Sequence, residues 1–501
     1  MDNVFRSFYT KSDYITSYMV SMLDLQEDDN ILEPSAGDGV FIDALLDVSE
    51  KAKIDACDLN PKAIEILKEK YSARENINIW QADTLFDEKL DRYAKAGGEY
   101  NKIIGNPPYG GWQEFERRDE LKTKFKGHSA KETYSLFLIR CLSLLNEGGK
   151  LSFIIPDTYL FLNRHKSLRD LILNNTKISE ILIFPSKFFP GVKFGYSNIS
   201  IITFEKCSNV QECLTNEVRI IKDLKKDSDI EQIKNNINLD NFTVIKVKQQ
   251  QVVNNEDMIF LLDNESNISD LINNAKTRLG DIADCVTGIY CGDNKRFLKV
   301  MSDTVKNSKG YPIVSGDEVD FNYVGLDGID DSVKKYIPIA KGNVSTRYIR
   351  ENGWVIDWSK EAVEHYINEK KPRFQNSQFY FKKGIVLPMV KSSKICANLI
   401  DGVVFDQSLV GVFPKNEKYL YYILGFLNSN TARTIIQIIN PTANNSANYI
   451  KKIPIILPDE ENLEIIDCKV KNIIKNMHEG KENEAIKEHD ELDIYFKELY
   501  M

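Results

Sequence analysis

The chain has 501 residues, 42% of them hydrophobic, and a formal net charge of −9 at pH 7. This length suggests two to four domains, and the acidic balance argues against a generally basic nucleic-acid coat protein. The sequence shows neither a run of about 18 apolar residues that would span a membrane nor the basic start of a signal peptide. Its eight cysteines have no usual zinc spacing. We therefore expect a cytoplasmic protein with no metal site and with free, mostly buried thiols.

Short apolar strands alternate with helical patterns over the first 205 residues. In chain order the pattern predicts a strand at 30–37, a helix at 39–50, a strand at 52–60, a helix beginning at Pro61, strands at 76–83 and 100–109, a long helix at 133–149 ended by glycines, and strands at 150–156 and 197–206. This rhythm is typical of an α/β protein with a doubly wound, mostly parallel sheet, in which ligands bind at the carboxyl ends of the strands.

The rhythm changes after residue 206. Residues 207–260 are rich in Asn, Lys and Asp and contain one β-like run, 242–253, so we interpret them as an extension of the first domain. From about Leu262 short strands mix with aromatic and basic residues, until two helical patterns at 419–439 and 462–499 close the chain. We predict an α/β domain over 1–261 and a mixed α+β domain over 262–501.

A glycine-rich turn, "EPSAGDG", follows the first predicted strand. Gly37 and Gly39 permit a tight turn and the close approach of a ligand, but the spacing is neither GxGxxG nor a phosphate-binding P-loop. Asp58 ends the next strand, where a carboxylate can accept both hydroxyls of a ribose, and Asp83 ends the third. Acids at successive strand ends suit a positively charged nucleoside, of which S-adenosylmethionine is an example. The alternatives are an ordinary turn after Glu33 and helix caps at the two aspartates.

The fourth strand ends in Asn106-Pro107-Pro108-Tyr109. The exocyclic amine of a heteroaromatic ring is a poor nucleophile because its lone pair is delocalised into the ring. The side-chain oxygen of Asn106 and the carbonyl of Pro107 can accept both N–H groups and so draw the nitrogen toward tetrahedral geometry. The prolines fix φ and add no competing N–H, and Tyr109 offers a flat face to the ring. The pattern predicts a clamp for an aromatic amine, and the alternative is a proline-bounded strand end.

Together, "LEPSAGDG", Asp58, Asp83 and "NPPY" resemble the amino-methyltransferases that act on N6 of adenine in DNA, a class I S-adenosylmethionine-dependent fold. The motif order resembles the TaqI-type (gamma) subgroup, and size and layout resemble a stand-alone type II modification methylase, PstI-like, which would imply the site CTGCAG. The resemblance implies Thr10 as a cofactor residue, although Lys11 stands where proline is usual, and Phe189, or less well Phe194, as a second aromatic against the base. The implied cofactor-binding residues are Thr10, Glu33, Pro34, Ala36, Gly37, Gly39, Asp58, Asp83 and Asn106.

The C-terminal half resembles target-recognition regions, through "TGIYCGDNKRFL" at 287–298 and the segment 419–437. Residues 331–400 carry 13 Lys or Arg against 6 Asp or Glu, and a local basic patch can bind a polyanion. The candidate DNA contacts are Lys295, Arg296, Arg347, Arg350, Arg373 and Lys391, with Lys371, Lys382, Lys383 and Lys394 as further candidates. The neighbouring aromatic residues Trp354, Trp358, Phe374 and Tyr380 are interpreted as core.

The resemblance implies a bacterial, monomeric enzyme that binds double-stranded DNA and is paired with a restriction endonuclease. Four alternatives stay open: an orphan methylase without a nuclease, an RNA amino-methyltransferase, a methyltransferase acting on a glutamine amide of a protein, and a non-enzymatic DNA-binding module. The third lacks support because those enzymes carry their extra domain before the cofactor motif.

Overall fold

The computed structural model describes residues 12–110, 115–188, 198–262, 271–272, 274–342, 345–351, 353–389, 395–440 and 445–500. The chain divides into two compact units, Met1–Asn264 and Glu265–Met501. Several predicted site residues lie outside the described residues, namely Thr10, Phe189, Phe194, Lys391 and Lys394.

The first unit is built on one nine-stranded sheet. Its strands are β1 (Asn30–Glu33), β2 (Lys53–Asp58), β3 (Ile77–Gln81), β4 (Tyr100–Gly105), β5 (Leu145–Pro156), β6 (Thr176–Pro185), β7 (Asn198–Lys206), β8 (Glu217–Lys222) and β9 (Thr243–Lys248). They lie in the order β3-β2-β1-β4-β5-β7-β6-β8-β9. The first five are parallel, β7 runs antiparallel to both of its neighbours, β8 is parallel to β6, and β9 is antiparallel to β8. The predicted α/β fold class with a mostly parallel sheet is confirmed.

Ten helices accompany this sheet in the described part of the unit. They are α1 (Asp13–Ser21), α2 (Val40–Val48), α3 (Pro61–Lys70), α4 (Glu88–Lys95), α5 (Phe115–Lys124), α6 (Thr133–Leu144), α7 (Lys166–Asn175), α8 (Val210–Thr215), α9 (Asp229–Lys234) and α10 (Gln249–Asn254). The start of α3 follows from local chemistry, because Pro61 occupies the first helical position and the Asn60 side chain accepts a hydrogen bond from the Lys62 N–H at 3.1 Å.

Two of the predicted elements in this unit end differently. The helix predicted over 133–149 stops at Leu144, and Gly148 and Gly149 lie inside β5. Pairing explains this, because the Leu144 carbonyl accepts from the Glu99 N–H and Leu145 pairs with Tyr100 of β4. The β-like run 242–253 is strand only to Lys248 and then becomes α10. There the buried Gln249 amide donates to two carbonyls and accepts from a backbone N–H.

Among its described residues, the second unit contains two small sheets with mostly antiparallel pairing. Their strands are β10 (Ala283–Thr287), β11 (Leu298–Val300), β12 (Tyr336–Ala340), β13 (Trp354–Asp357), β14 (Gly384–Pro388), β15 (Asn398–Ile400), β16 (Val404–Phe405) and β17 (Leu409–Pro414). The strand orders are β10-β17-β14-β15 and β11-β13-β12-β16. Trp354, Trp358 and Tyr380 are buried in one core cluster with Phe374 packed against it, so the prediction of core aromatic residues is confirmed.

In the part of the second unit that the structure describes, the helices are shorter until the C-terminal end. They are α11 (Leu279–Ile282), α12 (Asn294–Phe297), α13 (Lys360–Asn368), α14 (Leu420–Leu427), α15 (Asn430–Ile439), α16 (Ala447–Ile450), α17 (Glu460–His478) and α18 (Glu482–Tyr500). Each of the two predicted closing helices is therefore split in two. Ser429 caps α15 through its hydroxyl, and Gly480, with φ of 71°, separates α17 from α18.

The cysteine prediction is confirmed, since all eight are free, seven are buried and Cys468 is exposed. None of the helices within the described ranges has both the length and the apolar character needed to cross a bilayer.

Candidate active site

The carboxyl ends of β1 to β4 meet at one edge of the sheet. Glu33 of β1 pairs with Ala56 of β2, and Asp58 at the end of β2 pairs with Gln81 at the end of β3. β1 and β4 run parallel with Leu32 opposite Ile103. Because parallel strands end at the same side, the turns that follow all four strands lie together there.

The turn after β1 is held by the carboxylate of Asp58. One oxygen accepts the Gly37 N–H at 2.9 Å, and the other accepts the Asn60 N–H at 2.8 Å. Gly37 has φ of 53°, a left-handed conformation that glycine adopts without strain. Asp58 therefore joins the glycine turn to the start of α3, while the helix-capping role considered for this region belongs to Asn60.

Gly39 has a different structural reason to be glycine. Its φ is 82°, and a Cβ at this position would lie 2.7 Å from the Tyr71 hydroxyl and 2.8 Å from Leu67 Cδ2. The close packing of α3 against the start of α2 therefore depends on the missing side chain.

Glu33 is a buried carboxyl group at this edge, with 1% of its surface exposed. Neither of its oxygens accepts a hydrogen bond from any residue in the described ranges. Burial, with repulsion from Asp58, raises the pKa of Glu33 well above its usual value. A buried carboxylate requires a cation or hydrogen-bond donors, so Glu33 fits the ammonium group of an amino-acid ligand.

Asp83 follows β3 and is engaged by a residue that the sequence analysis missed. Arg117 of α5 donates from Nη2 to Asp83 Oδ2 at 2.7 Å, and Asp83 Oδ1 accepts the Leu85 N–H at 3.1 Å. The Arg117 guanidinium also lies 5.7 Å from the ring centre of Phe86. No sequence pattern indicates this pair, because Arg117 lies in α5 and Asp83 in the turn after β3, 34 residues earlier in the chain.

The Asn-Pro-Pro-Tyr segment lies against the glycine turn. The hydroxyl of Ser35, inside that turn, donates to the backbone carbonyl of Asn106 at 3.2 Å. A Cβ at Gly105 would lie 3.5 Å from the Pro34 ring. Asn106 is half-buried, Pro107 is buried, and Tyr109 is 1% exposed. The structure thus brings together the two motifs that the sequence predicted as cofactor and target sites.

The start of α6 packs behind this segment. Gly110 has φ of 83°, and a Cβ there would lie 2.6 Å from Thr133 Oγ1. Next to Thr133, Glu132 accepts two hydrogen bonds from Arg164, at 2.9 and 2.7 Å, and a short one with His165. Burial alone would raise the pKa of Glu132, but these partners lower it to about 2. A charged network therefore fixes the helix that contacts Gly110.

A second residue missed from the sequence, an acid, lies at the end of β5, the strand beside β4. Asp157 is 6% exposed, and its Oδ2 accepts from the Asn198 side chain at 3.2 Å. Burial raises the pKa of Asp157 to about 7. The signal was available, since Asp157 directly follows the apolar run "SFIIP" as Asp58 follows its own strand.

The predicted DNA contacts in the second unit fall into two groups. Lys295, Arg296 and Arg373 are exposed. By contrast, Arg347 Nη1 lies 2.6 Å from His489 Nε2, and Arg350 donates to the Lys341 carbonyl at 2.8 Å. Burial lowers the pKa of Arg350 to about 10. The further candidates Lys371, Lys382 and Lys383 are exposed.

Comparison with known proteins finds a family match within the first unit. Residues 15–189 match the family model described as the Eco57I restriction-modification methylase. The matched segment includes the glycine turn, Asp58, Asp83 and the Asn-Pro-Pro-Tyr segment, and by this match the first unit is similar to restriction-modification methylases.

Two particular relatives are the type II methyltransferase M.HincII of Haemophilus influenzae and the adenine-specific methyltransferase PglX of Lacticaseibacillus casei. M.HincII is 30% identical over 210 residues, which cover 40% of this chain and 38% of the relative. PglX is 21% identical over 380 residues, which cover 73% of this chain and 30% of the relative. The chain thus spans less than two fifths of the length of either relative.

Solved structures with the same fold cover both units. A nuclease-deletion mutant of the type ISP restriction-modification enzyme LlaGI, in complex with a DNA substrate mimic, has a TM-score of 0.59 at 15% identity, over 94% of this chain and 55% of that one. The DrdV–DNA complex has a TM-score of 0.55 at 13% identity, over 93% of this chain and 57% of that one. At 15% and 13% sequence identity, the similarity to these two structures shows a shared fold and nothing more.

Proposed function

We propose that the protein is a site-specific DNA methyltransferase that transfers a methyl group from S-adenosylmethionine to N6 of adenine, similar to the TaqI-type (gamma) subgroup. The observation that carries this proposal is the contact between the Ser35 hydroxyl and the Asn106 carbonyl at 3.2 Å, because it joins an acidic glycine turn to an amine clamp. The match to restriction-modification methylases over residues 15–189 supports it.

The residues at the sheet edge fit the cofactor in its separate parts. The buried carboxylate of Glu33 suits the ammonium group, Asp58 the ribose hydroxyls and Asp83 the adenine amine, while Gly37 leaves room for close approach. Pro34, Ala36 and Gly39 shape the turn, and Thr10 completes the proposed set. When bound, S-adenosylmethionine supplies a methyl group activated by its sulfonium.

The Asn-Pro-Pro-Tyr segment performs the other half of the chemistry. The Asn106 side-chain oxygen and the Pro107 carbonyl accept the two N–H groups of the target amine, so that its lone pair becomes available for attack on the methyl carbon. The prolines hold both acceptors in place because they fix φ. Transfer would be direct, without a covalent intermediate on the enzyme: the bond from N6 to the methyl carbon would form as the carbon–sulfur bond breaks, leaving S-adenosylhomocysteine, and the amine would release one proton to solvent.

Access to the amine requires that the adenine leave the duplex, which costs a few kcal/mol. Stacking on aromatic side chains returns about 1–3 kcal/mol per base, and we assign this role to Tyr109 and Phe189. Tyr109 is 1% exposed, so the residues that cover its ring must move before a base can stack on it. The second unit reads the DNA sequence, with CTGCAG as the first site to test.

Methyl transfer from labelled S-adenosylmethionine to duplex DNA, RNA and protein tests the proposal. We expect label in duplex DNA that contains adenine, recovered as N6-methyladenine after digestion. Label in RNA or in a glutamine side chain instead would contradict the proposed substrate, and absence of label in all three would contradict the activity. Sequencing of host DNA by a modification-sensitive method then gives the site, and protection of that site from cleavage tests the pairing with a restriction endonuclease.

A further inference from the structure

The residues just before and just after the segment that contains α5 lie next to each other, beside the amine clamp. The chain passes Gly110, continues through α5, and comes back at Thr133, where a Cβ on Gly110 would lie 2.7 Å from the Thr133 nitrogen. Gly110 and Thr133 therefore lie in contact beside the clamp. Between them in the chain, α5 contacts the turn after β3, on the side of the site that we assign to the cofactor.

Two ion pairs attach one face of α5 to the chain after β3. Arg117 pairs with Asp83 at 2.7 Å, and Lys124 pairs with Asp91 at 2.9 Å. The two cations lie two helical turns apart. Both cations pack against the ring of Phe86, with the Arg117 guanidinium 5.7 Å and the Lys124 ammonium 5.2 Å from the ring centre.

Only one of these pairs involves a candidate cofactor residue. Asp83 has one oxygen on Arg117 and the other on the Leu85 N–H, which together fix the orientation of the carboxylate. Each carboxylate oxygen can accept more than one hydrogen bond, so both keep capacity for a ligand. The side chains of Arg117 and Asp83 are 33% and 21% exposed. A pair of this exposure adds little to stability, so its importance lies in the geometry that it imposes.

We infer that Arg117 is a positioning residue that orients Asp83 toward the adenine amine of the cofactor and, through α5, links the cofactor pocket to the amine clamp. This inference rests on the proposed function, because it takes S-adenosylmethionine as the ligand at this sheet edge. Cofactor binding at Asp83 then stabilises α5, the helix that follows the clamp in the chain.

Equilibrium binding of two cofactor analogues tests the inference without turnover. S-adenosylhomocysteine carries the adenine amine, and S-inosylhomocysteine carries an oxo group in its place. We expect the wild-type protein to prefer the adenosyl compound by calorimetry. In Arg117→Gln, affinity for the adenosyl compound falls about tenfold, or about 1.4 kcal/mol, while affinity for the inosyl compound changes little. The preference therefore collapses, and Arg117→Lys restores part of it.

Lys124→Gln is the matched control, because Lys124 lies on the same face of α5, contacts the same ring and forms an ion pair that does not involve Asp83. It should leave the preference between the two analogues unchanged. An unchanged preference in Arg117→Gln, tighter binding of the adenosyl compound, or an equal loss in Lys124→Gln overturns the inference. If the adenosyl compound binds but the preference does not depend on Arg117, the inference alone fails. If the wild-type protein binds neither compound, the proposed function fails with it.

Hydrogen exchange on the wild-type protein gives a second measurement that does not depend on the folding of a variant. We expect amide exchange across 115–124 to slow on addition of the adenosyl compound and to slow much less with the inosyl compound at equal saturation. Equal protection by the two compounds would overturn the inference.

Discussion

Glu33 holds a carboxyl group where water cannot solvate it and where Asp58 adds repulsion, and both effects raise its pKa. Removing the charge while keeping the shape should therefore stabilise the protein without cofactor. We expect Glu33→Gln to raise the free energy of unfolding by about 1–2 kcal/mol and to weaken S-adenosylmethionine binding by about tenfold or more. Urea unfolding and calorimetry measure the two effects. A loss of stability with unchanged cofactor affinity would show that Glu33 has a purely structural role.

Asn106 tests the amine clamp at the scale of one acceptor. Replacing Asn106 with Ala removes a hydrogen-bond acceptor from the reacting nitrogen, and the loss of one such preorganised group typically lowers kcat by about 10²–10³. We expect that reduction in single-turnover methylation, with S-adenosylmethionine binding retained. Tyr109→Phe serves as the control, because stacking does not need the hydroxyl and its effect should be mild. Normal turnover of Asn106→Ala would refute the clamp.

At the scale of elements, the contact between Gly110 and the start of α6 holds the clamp in place. Gly110→Ala introduces both a left-handed alanine and a clash with Thr133. Gly127→Ala introduces the left-handed alanine alone, since Gly127 has φ of 92° and no atom of the described residues lies within 4 Å of an added Cβ. We expect Gly127→Ala to cost about 1–2 kcal/mol and Gly110→Ala about 1–3 kcal/mol more, with loss of methylation in Gly110→Ala alone. Equal unfolding free energies for the two variants would contradict the close packing.

Asp157, at the end of β5, gives the fold a dependence on pH. Its folded-state pKa of about 7 lies above the ordinary 3.8, so the folded protein keeps a proton that the unfolded chain releases between these values. Stability from this group is therefore present at low pH and falls as pH rises toward 7, by up to about 1.4 kcal/mol per pH unit. Asp157→Asn cannot titrate, so its unfolding free energy should fall less than that of the wild-type protein between pH 5.5 and 7. Parallel curves would mean that Asp157 is ionised in the fold.

These elements also show how far sequence reasoning reaches. The strands of the sheet up to β4 and the start of α3 at Pro61 were predicted, because hydrophobic alternation and helix caps are local signals. The predicted end of α6 was wrong, because the pairing of Leu145 with Tyr100 of β4 ends the helix at Leu144. The Asp83–Arg117 pair could not be predicted, since it depends on the path by which α5 returns toward β3. Asp58 and Asn106 could be placed at strand ends because each directly follows an apolar run.

At the scale of the whole molecule, the two units divide the proposed work, with chemistry in Met1–Asn264 and DNA recognition in Glu265–Met501. The family match covers residues 15–189, which lie wholly in the first unit, and so does not bear on the second. The second unit therefore needs a test of its own, which its basic residues provide.

Affinity for duplex DNA measured over a range of salt concentrations supplies that test. Each phosphate neutralised by the protein contributes about −0.9 to the slope of log K against log salt. Arg296 and Arg373 are exposed, so Arg296→Ala and Arg373→Ala should each reduce the slope by about 1 at unchanged stability. Arg350 is different, because its guanidinium donates to the Lys341 carbonyl inside the unit. Arg350→Ala should lower the unfolding free energy by about 1–3 kcal/mol while the folded variant keeps most of the wild-type slope. A wild-type affinity that does not change with salt would assign the basic surface to another ligand. A slope that changes in Arg350→Ala but not in Arg296→Ala or Arg373→Ala would mean that Arg350, and not the exposed arginines, contacts phosphate.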